Sequence, residues 1–173
     1  MEPLIELVKV LGPAALMLYL AYLLVRSFLN KQMEEIRLQV IQKNQEVVIP
    51  VRLQAYERIC LLLERVSPNN LISRLNNAEY SAIEFQQILI SEVREEFNHN
   101  LSQQVYMSSE AWSYVQSAVE DIISIINEAG SMSEKDDKSL ALAKKIIDLS
   151  MARQADSVRQ ALDFIKREIQ TIF

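Results

Sequence analysis

The residues with the most chemistry to offer lie between positions 52 and 112. Glu96 and His99 form an E-x-x-H pair. On a helix that spacing sets a carboxylate and an imidazole on one face. Helical bundles hold a di-iron centre with two such pairs and two further glutamates. His99 is the single histidine, so the second pair is missing and no metal or other cofactor is expected. A Ser-His-Asp mechanism would also have to recruit His99, and no strand-turn-helix elbow presents a serine to it. The two glycines, Gly12 and Gly130, stand too far apart for a phosphate-cradling loop. Cys60 lies in the apolar run Ile59-Cys60-Leu61-Leu62-Leu63, the setting of a small core hydrophobe rather than of an activated thiol.

Polar residues on apolar faces are the subtler signal. On a helical wheel of residues 50–66, Arg52 falls near the centre of the face made by Tyr56, Ile59 and Leu63. On residues 82–105, Glu96 and Asn100 fall among Phe85, Leu89 and Val93, with Glu92 and His99 at the edge. A charge taken out of water needs a partner and satisfied hydrogen bonds. Arg52 is therefore expected to pair with Glu96, or failing that with Glu92. The buried polar network would comprise Arg52, Tyr56, Glu92, Glu96, His99 and Asn100. The competing expectation is that Arg52, in a first turn, reaches solvent. Such a pair would fix helix register rather than perform catalysis, and the chain reads as a non-enzyme.

These residues must be positioned by helices. With two glycines and four prolines in 173 residues, the chain lacks the turn residues that many short strands require. Its apolar half excludes wholesale disorder. Pro50 is expected to open a helix over about 50–66. Ser67-Pro68 reads as N-cap and first residue of a short helix, with Val66 and Leu71 as a staple. S-A-I-E at 81–84 is a capping box, with Tyr80 and Phe85 as its staple, for a helix running to about Val105. Ser108 caps the next, with Met107 and Trp112 at the staple positions, ending at Gly130 as a C′ residue. Residues 131–137, Ser-Met-Ser-Glu-Lys-Asp-Asp, are the loop where flexibility or cleavage is expected. Two further helices, about 138–152 and 157–173, follow, their break resting on Gln154, Ala155 and Asp156. The last carries the stripe Val158, Leu162, Ile165, Ile169 and Phe173. Short connections between amphipathic helices imply an all-α bundle of about five helices.

Ahead of this body, Val10 to Val25 contains no charge and is bracketed by Lys9 and Arg26. The run spans about 24 Å at 1.5 Å per residue. Flanking apolar residues extend it to 4–29, long enough to cross a bilayer with some tilt. A signal peptide would need a basic n-region and a small-residue cleavage site; this N-terminus carries Glu2 and Glu6 instead. Lys9 stands on one side of the run, and Arg26, Lys31, Arg37 and Lys43 on the other. The positive-inside rule then puts the N-terminus outside and the body in the cytoplasm, an inner-membrane arrangement in a bacterium. The expected organisation is a transmembrane anchor over 1–30, a helical stalk over 31–49 and a cytoplasmic bundle over 50–173. In the stalk, Leu29, Met33, Ile36, Val40 and Val47 are spaced 4, 3, 4 and 7 apart, with Lys43 in the missing core position. That seam either dimerises or packs on the protein's own body.

The runs VIPVRLQAYERICLLLERVSPNNLISRL and EVREEFNHNLSQQVYMSSEAW resemble a bacterial family of unknown function, of Bacteroidetes type, whose members are short, membrane-anchored and helical. The matching residues include Arg52, Gln54, Tyr56, Glu57, Arg58, Glu64, Arg65, Glu96, His99, Asn100, Leu101, Gln104, Tyr106 and Trp112. The resemblance implies the anchor and the helical body, and no activity.

Charge narrows the partners. Residues 1–31 hold three cations against two carboxylates, so the remainder of this −5 chain carries −6. An acidic body without a basic stripe is a poor nucleic-acid binder. The expected partners are the bilayer, through residues 4–29, and a protein, either another chain or a second copy. The alternative is a ligand-binding or enzymatic bundle with a polar site around Arg52, Glu96 and His99, lined by Tyr56 and Trp112.

Overall fold

The computed structural model describes residues 2–134, 136–153 and 156–171. Among these residues there are seven helical segments: α1 (Glu2–Val66), α2 (Pro68–Leu75), α3 (Ala82–His99), a 3-10 segment (Leu101–Tyr106), α4 (Ser109–Ser131), α5 (Ser139–Ala152) and α6 (Ser157–Gln170). No strand occurs among the described residues; one isolated antiparallel bridge joins Ser81 and Lys138. The chain divides into two units, Met1–Ile49 and Pro50–Phe173.

Within the second unit the apolar spacing of each helix converts directly into burial. Tyr56, Ile59, Leu62, Leu63 and Val66 of α1 are fully buried. So are Phe85, Leu89 and Val93 of α3, at spacings of four. Val115, Val119, Ile122 and Ile126 of α4, Leu142 and Ile146 of α5, and Ala161 and Ile165 of α6 complete one core. The single tryptophan, Trp112, stacks on Phe97 at 5.5 Å between ring centroids and belongs to that core. Cys60 is half-buried and packs against it. Burial pushes its thiol pKa up, which keeps it neutral and unreactive.

Local signals set most of the boundaries. Ser81 and Glu84 make the reciprocal capping box at the head of α3. The Ser108 hydroxyl accepts from Ala111 N–H at the head of α4, at 3.0 Å. Asp156 accepts from Arg159 N–H at the head of α6, at 3.0 Å. Ser67 occupies the N-cap of α2 by backbone only, because its hydroxyl donates to the Glu64 carbonyl at 2.7 Å and closes α1 instead.

Three expectations are corrected. Pro50 does not start a helix: α1 runs through it. A proline leaves the carbonyl four residues back, that of Glu46, without its helical donor. Pro50 and Glu46 are both exposed, so solvent has access to satisfy that carbonyl, and the helix continues. α3 stops at His99, not near Val105, because Asn100 competes for the carbonyl it needs. The Asn100 carboxamide donates to Glu96 C=O at 2.9 Å, and its backbone N–H turns to Phe97 C=O. Gly130 is not a C′ residue. It lies within α4, and its φ is not positive. A Cβ there would run into the Gln86 carboxamide of α3, which donates to Asn127 at 3.1 Å. Glycine at this position leaves room for that carboxamide.

The 131–137 stretch, expected to be a loop, joins α4 to α5. Its described residues are tied on both sides. Lys145 donates to Met132 C=O at 2.9 Å and pairs with Asp137 at 2.9 Å. That ion pair, with the Glu134 N–H, holds the Asp137 carboxyl below the usual carboxylate range. Ala82 N–H reaches Asp137 C=O and Ser139 N–H reaches Tyr80 C=O, which makes the bridge between the two loops. The fully buried Ser139 hydroxyl donates to Asn77 C=O at 2.7 Å. Gln154 and Ala155, on which the last break was expected to rest, lie outside the described residues, as does Phe173.

Candidate functional site

Arg52 and Tyr56 lie one turn apart on α1, and the guanidinium reaches the Tyr56 hydroxyl at 3.1 Å. Arg52 Nε also donates to the Tyr106 carbonyl at 3.0 Å, where the 3-10 segment ends. The Tyr56 hydroxyl in turn donates to Glu168 of α6 through a short hydrogen bond. Glu168 receives two more donors from Ser108, the backbone N–H at 2.9 Å and the hydroxyl at 2.5 Å. Ser108 therefore caps α4 with one lone pair and binds the α6 carboxylate with its proton. α1, the cap of α4 and α6 meet at this one carboxylate, and Arg52 ties the end of the 3-10 segment to them.

The electrostatics follow from that donor set. Burial pushes the Glu168 carboxyl pKa up, but the Ser108 hydroxyl, the Tyr56 hydroxyl, the Ser108 N–H and the Arg52 charge together outweigh it. The carboxyl is held below the ordinary glutamate value. Burial, and then the carboxylate itself, push the Tyr56 hydroxyl up, so it stays protonated and donates. This is a charged latch between helices, and its members are occupied by one another.

Arg52 does not pair with Glu96 or Glu92, and it does not simply reach solvent. The reason is distance along α1. Glu96 is taken by Arg65 at 3.0 Å, and Arg65 lies thirteen residues beyond Arg52, about 20 Å along a helix. Glu92 pairs with Arg74 of α2 at 2.5 Å and lies 3.9 Å from Arg65. These half-exposed pairs form a second cluster that ties α1, α2 and α3. His99 is exposed on the last turn of α3, and the buried Asn100 serves to end that helix. The six residues expected as one network thus split: Arg52 and Tyr56 in the latch, Glu92 and Glu96 in the cluster of α1, α2 and α3, Asn100 in a cap and His99 at the surface. Among the described residues, no group of three or more His, Cys, Asp or Glu is placed to hold a metal ion.

Glu168 is the residue that sequence reasoning missed. It sits three positions after the buried Ile165, on the stripe 158, 161, 165, 168. The test that singled out Arg52, a charge on an apolar face, also selects Glu168. The ionised carboxylate contributes stability that is fully present above the unfolded-state value, about 4.3, and is lost as pH falls through the depressed folded-state value. Glu168→Gln is expected to lower the stability of the body by about 1–3 kcal/mol at pH 7. Its stability should then decline less steeply than wild type below about pH 4.3. Denaturation followed by circular dichroism across pH reads both effects. Parallel acid limbs would show that another carboxylate carries the response.

One surface stands apart. α5 presents Leu140, Ala141 and Ile147 along an open apolar trough of about 780 Å³, with Lys138, Lys144 and Asp148 on its rim. Leu140 is strongly exposed, and so is Met151, one turn beyond Ile147. A family model described as a family of unknown function, DUF7935, matches residues 2–172. No curated protein and no solved structure matches the chain.

Proposed function

We propose that this chain, which belongs to the family of unknown function DUF7935, is a membrane-tethered, non-enzymatic interaction module. In this reading residues 4–29 cross a bacterial inner membrane once, with the N-terminus outside. Residues 31–49 form a stalk, and residues 50–173 stand in the cytoplasm and hold a protein partner.

The observation that carries the reading is the apolar run of α1. From Leu11 to Leu29 its large apolar side chains, Leu18 and Leu24 among them, are 40–74% exposed. The helix is long and apolar enough to cross a bilayer. A helix apolar on all sides requires either a protein core or hydrocarbon around it. The cation asymmetry from Lys9 to Lys43 sets the sidedness. The polar residues of the body support a structural role for its interior, because Arg52, Tyr56, Ser108 and Glu168 satisfy one another. The α5 trough, apolar with a charged rim, has the character of a protein-binding surface.

Fractionation of cells carrying the full-length protein tests this. The protein is expected in the high-speed pellet, to stay there through an alkaline carbonate wash, and to leave only with detergent. A product in the supernatant removes the anchor. Affinity capture from the detergent extract tests the rest: a chain recovered with wild type and lost with Leu140→Asp/Met151→Asp places its seat on α5. Recovery of the bait alone counts against a separate partner.

A further inference from the structure

We infer that the protein seated on α5 is a second copy of this chain, in an antiparallel pair about a twofold axis; the inference rests on the α5 surface proposed above and names its occupant. Leu140, Lys144, Ile147 and Met151 follow one another at spacings of 4, 3 and 4 along α5, so they share one face. Leu140 is 69% and Met151 81% exposed, and Ile147 lines the trough between them. Round the helix from Leu140, Ile147 and Met151 stay within about 20°, while Lys144 and Asp148 lie at about 40° and 80° on one flank. Both charged residues are exposed.

Charge complementarity selects the occupant. In an antiparallel twofold pair each flank of a helix faces the same flank of the other copy, so a cation and an anion on one flank answer each other twice. Each residue faces the one lying equally far beyond the axis. Leu140 and Met151 are equidistant from a point between Lys145 and Ile146, and Lys144 and Asp148 from Ile146. The two centres differ by half a residue, about 0.75 Å of rise, so one axis serves both pairings. Leu140 of each copy then packs on Met151 of the other, the two Ile147 side chains meet beside the axis, and Lys144 of each copy faces Asp148 of the other. A parallel pair would turn that flank toward Ala143 and Ser150, which carry no charge. A lipid surface would accept Lys144 but set Asp148 against anionic headgroups. Lys138 falls past the end of the opposing α5, where the nearest cation, Arg153, is held by Asp121 and Glu128 of its own chain.

Oxidative crosslinking of the full-length protein in a Cys60→Ser background tests this, read in whichever cell fraction holds it. Ile147→Cys, beside the axis, is expected to give a band at twice the monomer mass. Leu140→Cys, about 17 Å along the helix from its counterpart, should give little alone and a strong band when coexpressed with Met151→Cys. Lys144→Asp or Asp148→Lys, each added to Ile147→Cys, should lower the yield several-fold by setting like charges opposite. Coexpressed under different tags, these two charge variants should restore the band, now carrying both tags, because each supplies the charge the other lacks. Misfolded chains could not restore one another. No band with Ile147→Cys, a Leu140→Cys band as strong alone as with Met151→Cys, or charge reversals that change nothing or are not rescued would each overturn the pair. A different chain captured by wild type and lost with Leu140→Asp/Met151→Asp, without the Ile147→Cys crosslink, keeps the α5 seat and removes the second copy. Capture and crosslinking that both ignore those substitutions remove the seat itself.

Discussion

Arginine at both Leu16 and Leu20 is expected to release the full-length chain from the carbonate-resistant membrane pellet. The two leucines lie one turn apart near the middle of the apolar run. Each substitution replaces a side chain worth about −0.3 to −0.6 kcal/mol at the helix centre with one costing about 2.5 to 3.5 kcal/mol. The pair shifts insertion by about 6 to 8 kcal/mol, or four to six orders of magnitude in partition. In the proposed anchor Lys9 and Arg26 would escape this penalty, because each is near an end of the run and could snorkel, whereas Leu16→Arg and Leu20→Arg would have no interface within reach. Leu16→Ala/Leu20→Ala is the matched control and should remain in the pellet. Retention of the double-arginine protein after carbonate would show that the run is not held by hydrocarbon.

Phe85→Ala should have the largest effect on the body. Phe85 is fully buried in the single hydrophobic core, on the helix that packs against α4 and α5, and follows the capping box by one residue. Truncating a buried phenylalanine costs about 3–5 kcal/mol, the sum of lost transfer energy and an unfilled cavity. A domain of this size has about 5–15 kcal/mol in all. Trp112 is the only tryptophan, 8% exposed and stacked on Phe97, so its fluorescence reports urea unfolding of the body. Val105→Ala, at a strongly exposed position of the 3-10 segment, should stay within about 0.5 kcal/mol of wild type. If Phe85→Ala cost less than about 1 kcal/mol, the α3 face would not be packed as described.

The contrast between Ser81 and Arg52 shows which features could be read from the sequence. A capping box is complete within four residues, so Ser81, Glu84 and the start of α3 follow from local chemistry alone. The apolar stripes of α3, α4 and α6 are local too, and each became a core face. The partner of Arg52 is a different kind of fact. It depends on how far α1 runs past its neighbours, and one wrong helix start at Pro50 leaves that axial offset undetermined. Arg65, thirteen residues on, holds the carboxylate that had been assigned to Arg52. The 3-10 segment escaped for a related reason: the side chain of Asn100 outcompeted the helix for one carbonyl, a contest that periodicity does not register. Glycine at 130 has the type of a stop signal, whereas in the fold the Gln86 carboxamide occupies the place a Cβ would take.

The hydroxyl of Tyr56 meets a carboxylate that comes 112 residues later in the chain. At a ribosomal rate of about 5–20 residues per second, about 6–22 s separate the two during synthesis. Through that interval the apolar face of Tyr56, Ile59 and Leu63 has emerged, while α6, which closes over the latch, has not yet been made. The nascent protein is therefore most prone to off-pathway association while α6 is still unmade, and its demand for chaperone shelter should fall once the segment bearing Glu168 clears the exit tunnel.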